Sequence, residues 1–389
     1  MRQVSVVPVL LLLAACGPDP SPPPQNKAQL VAAPQPPPPS PAVDPRKADV
    51  DAIQAAILDP NSPTFSTKSA QPNLAIVKAE VLLARARFSP GVIDGKDGTN
   101  FHHALAAYQA THNLETTGKL DTATWQALTP SGGLPVAKTY LVTSADVQGP
   151  FGPDVGEDFV KLAALDQGPG YTSPLEALAE RFHMSQALLQ GLNPNADFKT
   201  AGQAIVVVDA EPPPFQPGVV KSISVSKVDE EVTAFGADGQ VLGVYPATVG
   251  STERPSPSGT HKVTVVKPRP DYVYDPAKLH WGPRSAGKLV IKAGPNNPVG
   301  TTWIGLNAPG YGMHGTPEPE KIGKTASHGC VRMTNWDADA LGAGTKAGIL
   351  VSFVGGRDGK PYVASKASPD AADPPLRTTQ SNEPVSDDD

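Results

Sequence analysis

Proline placement sets the first limit on how this chain can fold. The sequence holds 45 prolines in 389 residues, and they crowd the ends and a few internal breaks. Proline fixes φ and has no N–H to donate, so a run of them enters neither a helix interior nor a central strand. Pro34-Gln35-Pro36-Pro37-Pro38-Pro39 therefore extends as polyproline II. Glu211-Pro212-Pro213-Pro214 reads as a second break, and polar, Pro-rich sequence follows Gly355. What lies between these breaks folds as units, and 389 residues predict two to three domains. A net charge of −6 supplies no basic field for nucleic acid.

The chemistry is concentrated in Met313 to Asn335, M-H-G-T-P-E-P-E-K-I-G-K-T-A-S-H-G-C-V-R-M-T-N. It holds Cys330, one of two cysteines, with His314 sixteen residues upstream. A thiol attacks carbonyls as thiolate, and a free cysteine of pKa roughly 8.5 is mostly protonated at neutral pH. A nearby imidazole can take that proton. Gly315 and Gly329 permit tight turns and let backbone N–H groups approach a developing oxyanion. The spacing fits a loop that returns His314 to face Cys330. It does not fit a metal site, because one thiol without a second Cys or His pair completes no ligand set. No metal or organic cofactor is required.

These residues resemble the signature of the L,D-transpeptidase catalytic domain, also called YkuD. That signature is His-Gly, a spacer, then Ser/Thr-His-Gly-Cys, a hydrophobic residue and Asn or Arg. Here it stands as His314-Gly315 and Ser327-His328-Gly329-Cys330-Val331-Arg332. The resemblance extends through Pro257-Ser258-Gly259, Asn297-Pro298-Val299-Gly300, Trp303-Ile304-Gly305-Leu306 and Asn335-Trp336-Asp337-Ala338. It implies Cys330 as nucleophile and His314 as general base. Ser327 is a loop hydrogen-bonder, and the N–H groups of Gly329 and Cys330 are oxyanion donors. His328 has two open assignments: orienting the base or thiol from beneath the loop, or acting as the base itself. Arg332 likewise has two: a fork for a stem-peptide carboxylate, or a structural salt bridge.

Met1-Arg2 followed by an apolar run to Leu13 reads as an export signal, too short to span a membrane as a mature helix. Its end, Leu13-Ala14-Ala15-Cys16, resembles a bacterial lipobox, which implies residues 1–16 as a lipoprotein signal and Cys16 as the lipidated N-terminus. Gly17, where inner-membrane retention often places Asp, points to the periplasmic face of the outer membrane. Residues 17–47 then serve as a Pro-rich stalk.

Residues 48–130 are predicted helical, with Leu74, Val77, Val81 and Leu82, and again Phe101, Leu105 and Tyr108, at helical spacing. Turns fall at Gly91–Gly95 and Thr117–Asp121, with Asp121 or Thr122 capping a last helix that bears Trp125. This order, with Asp94-Gly95-Lys96-Asp97-Gly98, resembles a three-helix peptidoglycan-binding domain; His102 and His103 are read as surface or core residues. Residues 139–210 carry an amphipathic helix at Pro174–Phe182, a second from Ser185 to Leu192, Asn193-Pro194, and a strand at Ala204–Val208. That order resembles a LysM glycan-binding module. Its opening strand would be Tyr140-Leu141-Val142, with an insertion through Gly170.

From 218 to 355, strand-like runs at Ser222–Val228, Glu231–Ala234, Gln240–Ala247 and His261–Lys267 alternate with turns, followed by a short helix at Trp336–Leu341 and a strand at Ile349–Val354. The expected fold is a mostly-β catalytic domain, a YkuD-like β-sandwich, preceded by a small α-helical domain and an α+β LysM-like module. Residues 356–389 read as a disordered tail. The resemblance implies thioester-forming transfer on peptidoglycan stem peptides, giving 3-3 cross-links or attaching an outer-membrane protein to the wall. The alternatives are an L,D-carboxypeptidase of the same fold and a non-catalytic wall-binding lipoprotein.

Overall fold

The computed structural model describes residues 44–355 except 57–71, 130–132, 134, 251–254, 278–281, 284, 286, 326 and 328. Cys16, most of the Pro-rich stalk, the tail and His328 lie outside the described residues. No described helix is long and apolar enough to cross a membrane.

The upstream part begins with α1 (Lys47–Ala55), α2 (Leu74–Arg85), α3 (Thr99–Thr111) and α4 (Thr122–Leu128). The Asn73 side chain accepts from Ala75 and Ile76 N–H at 3.0 and 3.3 Å, filling two donors that a first helical turn leaves open. Of the two candidate caps on α4, Asp121 takes the role, accepting from Thr124 N–H at 2.8 Å. The Asp94-Gly95 turn is tied from below, where Gly95 N–H donates to the buried Glu80 carboxyl at 2.9 Å.

The next elements are β1 (Ala137–Leu141), α5 (Ser144–Gln148), α6 (Phe159–Ala163), α7 (Pro174–Arg181), α8 (Gln186–Leu192) and β2 (Ala204–Val208). β1 and β2 pair antiparallel, with Tyr140 opposite Ile205. Helices α5 and α6 lie within the insertion expected between the opening strand and Gly170.

Periodicity gives α2 one apolar stripe, yet two of its sides are buried. Val77 and Val81 join a core with Ile53, Leu178, Leu189 and Ile205. Ile76, Ala79 and Leu83 join another with Phe101, Leu105 and Tyr108. A helix apolar on most of its circumference is an interior helix. Residues 48–130 and 139–210 therefore share α2 as a common wall, although sequence patterning places them in separate modules.

The catalytic part comprises β3 (Ser222–Ser226), β4 (Glu231–Phe235), β5 (Val241–Pro246), β6 (Gly259–Pro268), β7 (Tyr272–Tyr274), β8 (Leu289–Ile291), β9 (Thr302–Leu306), β10 (Gly312–His314), β11 (Val331–Arg332), α9 (Asn335–Gly344) and β12 (Leu350–Val354). Eight strands form one sheet in the order β11-β10-β9-β6-β12-β3-β4-β5, and β7-β8 form a separate hairpin. The domain is mostly β as expected, but the sandwich expectation needs correction. Its two halves are one sheet bent at β6, whose first half pairs with β12 and second half with β9 across a register shift between Val263 and Val265. An extra residue in one strand increases local twist and turns the sheet through a corner. Two pairs, β12/β3 and β10/β11, are parallel.

The bend brings the sheet's ends together. Thr248, just past β5, exchanges both backbone bonds with Arg332, at 2.9 and 3.0 Å. Inside the curl, α9 buries Ala338 and Leu341 against Ile223, Val225, Ile304 and Met313. The β5 edge is covered by the upstream part: Ser89 N–H donates to Val244 O at 2.9 Å and Val244 N–H to Arg87 O at 2.8 Å. Covered edges do not recruit foreign strands.

Candidate active site

Parallel pairing of β10 with β11 sets Met313 opposite Val331 and His314 opposite Arg332. On the other side of β10, His314 pairs with Trp303 of β9. Side chains alternate along a strand. Met313, Val331 and Ile304 are 0–1% exposed and point into the core. His314, Arg332 and Trp303 therefore share the opposite face, and Cys330, two residues before Arg332, lies on it with them. The ladder thus sets His314 beside the strand that Cys330 leads into.

The loop before Cys330 is held by hydroxyls. Ser327 Oγ donates to Cys330 O at 2.6 Å and accepts from Gly329 N–H at 3.2 Å. Ser256, unassigned from sequence, donates from its Oγ to Gly329 O at 2.7 Å and accepts from Gly250 N–H at 2.9 Å. Gly329 has φ +108, a conformation that a residue with a Cβ rarely adopts. Its N–H is thus engaged inside the loop, unlike the oxyanion role expected of it from sequence.

His314 Nδ1 lies 2.7 Å from Gly315 O. A carbonyl only accepts, so Nδ1 carries the proton and Nε2 is left as the acceptor. Burial lowers the His314 pKa from 6.5 to about 4; the Gly315 bond opposes that shift and the Arg332 charge reinforces it. Trp303 stacks on the ring at 5.5 Å and 22°. Cys330 is a free thiol. Burial pushes its pKa up, against a lowering by the Gly312 N–H and the Arg332 charge. The sulfur also lies 3.6 Å from Gly310 O. Burial thus favours the uncharged form of each group at neutral pH, thiol at Cys330 and imidazole at His314.

Two further residues belong to this face. Tyr272 on β7 sits close enough to Cys330 and Arg332 to sense both charges, and burial raises its hydroxyl pKa. Behind the hairpin, Phe159 of α6 packs edge-on against Tyr272 and Tyr274 at 5.7 and 5.3 Å. Trp303 lies within a quoted motif, yet nothing in the sequence places it over His314. His102, on α3, pairs with Asp97 at 2.5 Å. Among the described residues no group of three His, Cys, Asp or Glu could hold a metal ion.

Residues 221–348 match the L,D-transpeptidase catalytic domain, YkuD, and residues 73–128 match a putative peptidoglycan binding domain. The chain is 31% identical over 188 residues to the putative L,D-transpeptidase YkuD of Bacillus licheniformis, covering 48% of this chain and 94% of that protein. The chain belongs to the L,D-transpeptidase family. This L,D-transpeptidase is also 37% identical over 103 residues to the putative L,D-transpeptidase YqjB of Bacillus subtilis, covering 25% of its own length. It is 29% identical over 195 residues to the probable L,D-transpeptidase YbiS of Escherichia coli, covering 48% of its own length. It spans 51% of YqjB and 61% of YbiS. Upstream of the catalytic domain, the segment matching the putative peptidoglycan binding domain spans α2 to α4.

Proposed function

We propose that this L,D-transpeptidase transfers the acyl group of a peptidoglycan stem peptide through a thioester on Cys330. One observation carries the reading: the β10–β11 ladder sets His314, its Nε2 open, on the same face as the thiol. As sulfur attacks the scissile carbonyl carbon of the tetrapeptide, its proton passes to His314 Nε2. The C–N bond to D-Ala then breaks, and the imidazolium returns that proton to the departing amine. An acceptor amine next attacks the thioester and gives its proton to His314, which passes it to the departing sulfur, so the free thiol and neutral imidazole return. A neutral resting pair suits this cycle, because the imidazolium of a weak base is a strong acid towards the leaving amine.

With the Gly329 N–H occupied, the Cys330 N–H is the proposed oxyanion donor; losing such a donor costs about 3–4 kcal/mol. Arg332 orients a stem-peptide carboxylate. The acceptor is diaminopimelate, giving a 3-3 cross-link, or an amine of an outer-membrane protein. Cys16 lipidation would tether the chain at the periplasmic face of the outer membrane. The β1-α7-α8-β2 arrangement supports a LysM-like role in holding glycan, and His328 orients the base or the thiol.

Purified muropeptides incubated with the full chain and read by mass spectrometry test the transfer. Cross-linked dimer is expected; free tripeptide without dimer would replace transfer by hydrolysis. Binding of residues 139–210 to insoluble wall tests the glycan role, and palmitate labelling of wild type against Cys16→Ala tests the anchor.

A further inference from the structure

One buried carboxyl from the upstream part reaches the first residue of α9. Glu180, near the end of α7, is only 9% exposed and lies outside the matched residues 221–348. It accepts from Asn335 Nδ2 at 2.6 Å. Asn335 opens α9, three residues after Arg332. Its Nδ2 also donates to Pro295 O at 3.1 Å, and its Oδ1 accepts from Thr301 N–H at 3.1 Å. The same Oδ1 sits hard against Gly300 and Gly315, where any added Cβ would collide with it. Gly315 O in turn fixes the His314 tautomer.

An asparagine amide has two ends, and only its partners decide which way it points. The Glu180 carboxyl oxygen and Pro295 O each take one N–H of the Nδ2 end. That choice turns Oδ1 towards Thr301 and the Gly315 turn. Without the acceptor, a buried N–H is left unmet, and rotating the amide to relieve it would set Nδ2 against the Thr301 N–H. Burial raises the Glu180 pKa to about 7, with Glu176 and Asp339 adding to the rise and the Asn335 bond opposing it. Charged or neutral, the carboxyl still offers an oxygen. The Tyr171 hydroxyl stands 3.5 Å from the same Oε1, and a cavity of about 450 Å³ opens beside the cluster.

We propose that Glu180 is a positioning residue for the reaction at Cys330, acting through Asn335 on the Gly315 turn that holds His314. The upstream module would then contribute to catalysis as well as to targeting. This rests on the reading that Cys330 and His314 form the acyl-enzyme pair.

The test compares full-length wild type, Glu180→Ala, Glu180→Gln and Cys330→Ala. The readouts are the rate of carbapenem adduct formation by intact mass, its pH profile, and the melting temperature. Glu180→Ala is expected to slow acylation at least about tenfold per folded molecule and to shift the acid limb of the profile. Glu180→Gln, which keeps an acceptor for Asn335, should return the rate to near wild type. Glu180→Met, similar in shape but without that acceptor, serves if the alanine variant does not fold, and should be slow. A lowered melting temperature with an unchanged rate and profile would overturn the proposal, as would a glutamine variant as slow as alanine. Absence of a wild-type adduct, or an adduct on Cys330→Ala, would instead remove the catalytic pair and this inference with it.

Discussion

Among the described residues two histidines lie flat on tryptophans, and they differ in what surrounds them. His314 stacks on Trp303 at 5.5 Å and 22°, and His183 on Trp336 at 4.8 Å and 9°. Loss of water lowers both to about pKa 4. His183 follows α7 in the left-handed region at φ +57 and belongs to the junction between the upstream and catalytic parts. His314 ends β10, with its Nδ1 locked by a carbonyl and Cys330 just before the neighbouring strand β11. Stacking and burial weaken an imidazole wherever they occur. Reactivity needs a fixed tautomer and a nucleophile across the ladder.

The widest separation between the two sites is expected in acylation. Cys330→Ala should give no carbapenem adduct, and His314→Gln should slow adduct formation by about 10²–10⁴-fold. His183→Gln should leave the rate near wild type while lowering the melting temperature. Equal losses from the two histidine variants would break the comparison.

Phe159→Ala sharpens it from the other side of the thiol. Removing this buried ring from behind Tyr272 and Tyr274 should cost about 3–5 kcal/mol. The loss should appear as faster amide exchange across β7 and β8, with the β10–β11 ladder unaffected. Exchange spread evenly over both would mean that the hairpin is no separate support for the site.

The two regions should also differ in their response to pH. His314 has a pKa depressed to about 4, so its neutral form persists as acid is added. Acylation should hold steady from pH 8 to about 5 and fall as pH passes about 4; a decline centred near 6.5 would show an unburied base. The stability that neutral His314 provides is full above pH 6.5 and lost as pH falls towards 4. At the junction the sign reverses. Burial raises Asp337 from 3.8 to about 7, against bonds from Thr334 and Ser89. Its contribution is full below pH 3.8 and lost as pH rises through about 7. Asp337→Asn should therefore gain roughly 3 kcal/mol more over wild type at pH 8 than at pH 5. Parallel melting curves for the two proteins would contradict that burial.

Much of this was legible from residue order. Helix spacing around Leu74–Leu82 and Phe101–Tyr108 gave α2 and α3, and the apolar runs after Ser222 gave β3 to β6 within two residues. Cys330 and His314 stood out as candidates because a glycine flanks each, Gly329 and Gly315. The second buried side of α2 was not legible, because Ile76, Ala79 and Leu83 form a stripe that one-face periodicity assigns to no partner. Nor was Tyr272, since an aromatic in a three-residue strand carries no mark of the thiol it approaches.

The sequence by itself determined which residues could carry chemistry, where the chain breaks and which segments become helix or strand, because these depend on side-chain type and local period. Only the tertiary structure decided that the sheet bends at β6 until its ends meet, that His314 pairs with Arg332 two residues past Cys330, and that Glu180 reaches Asn335 from another module. Those outcomes depend on register and burial between segments far apart in the chain. A single strand or helix contains no record of the partner that will pack against it.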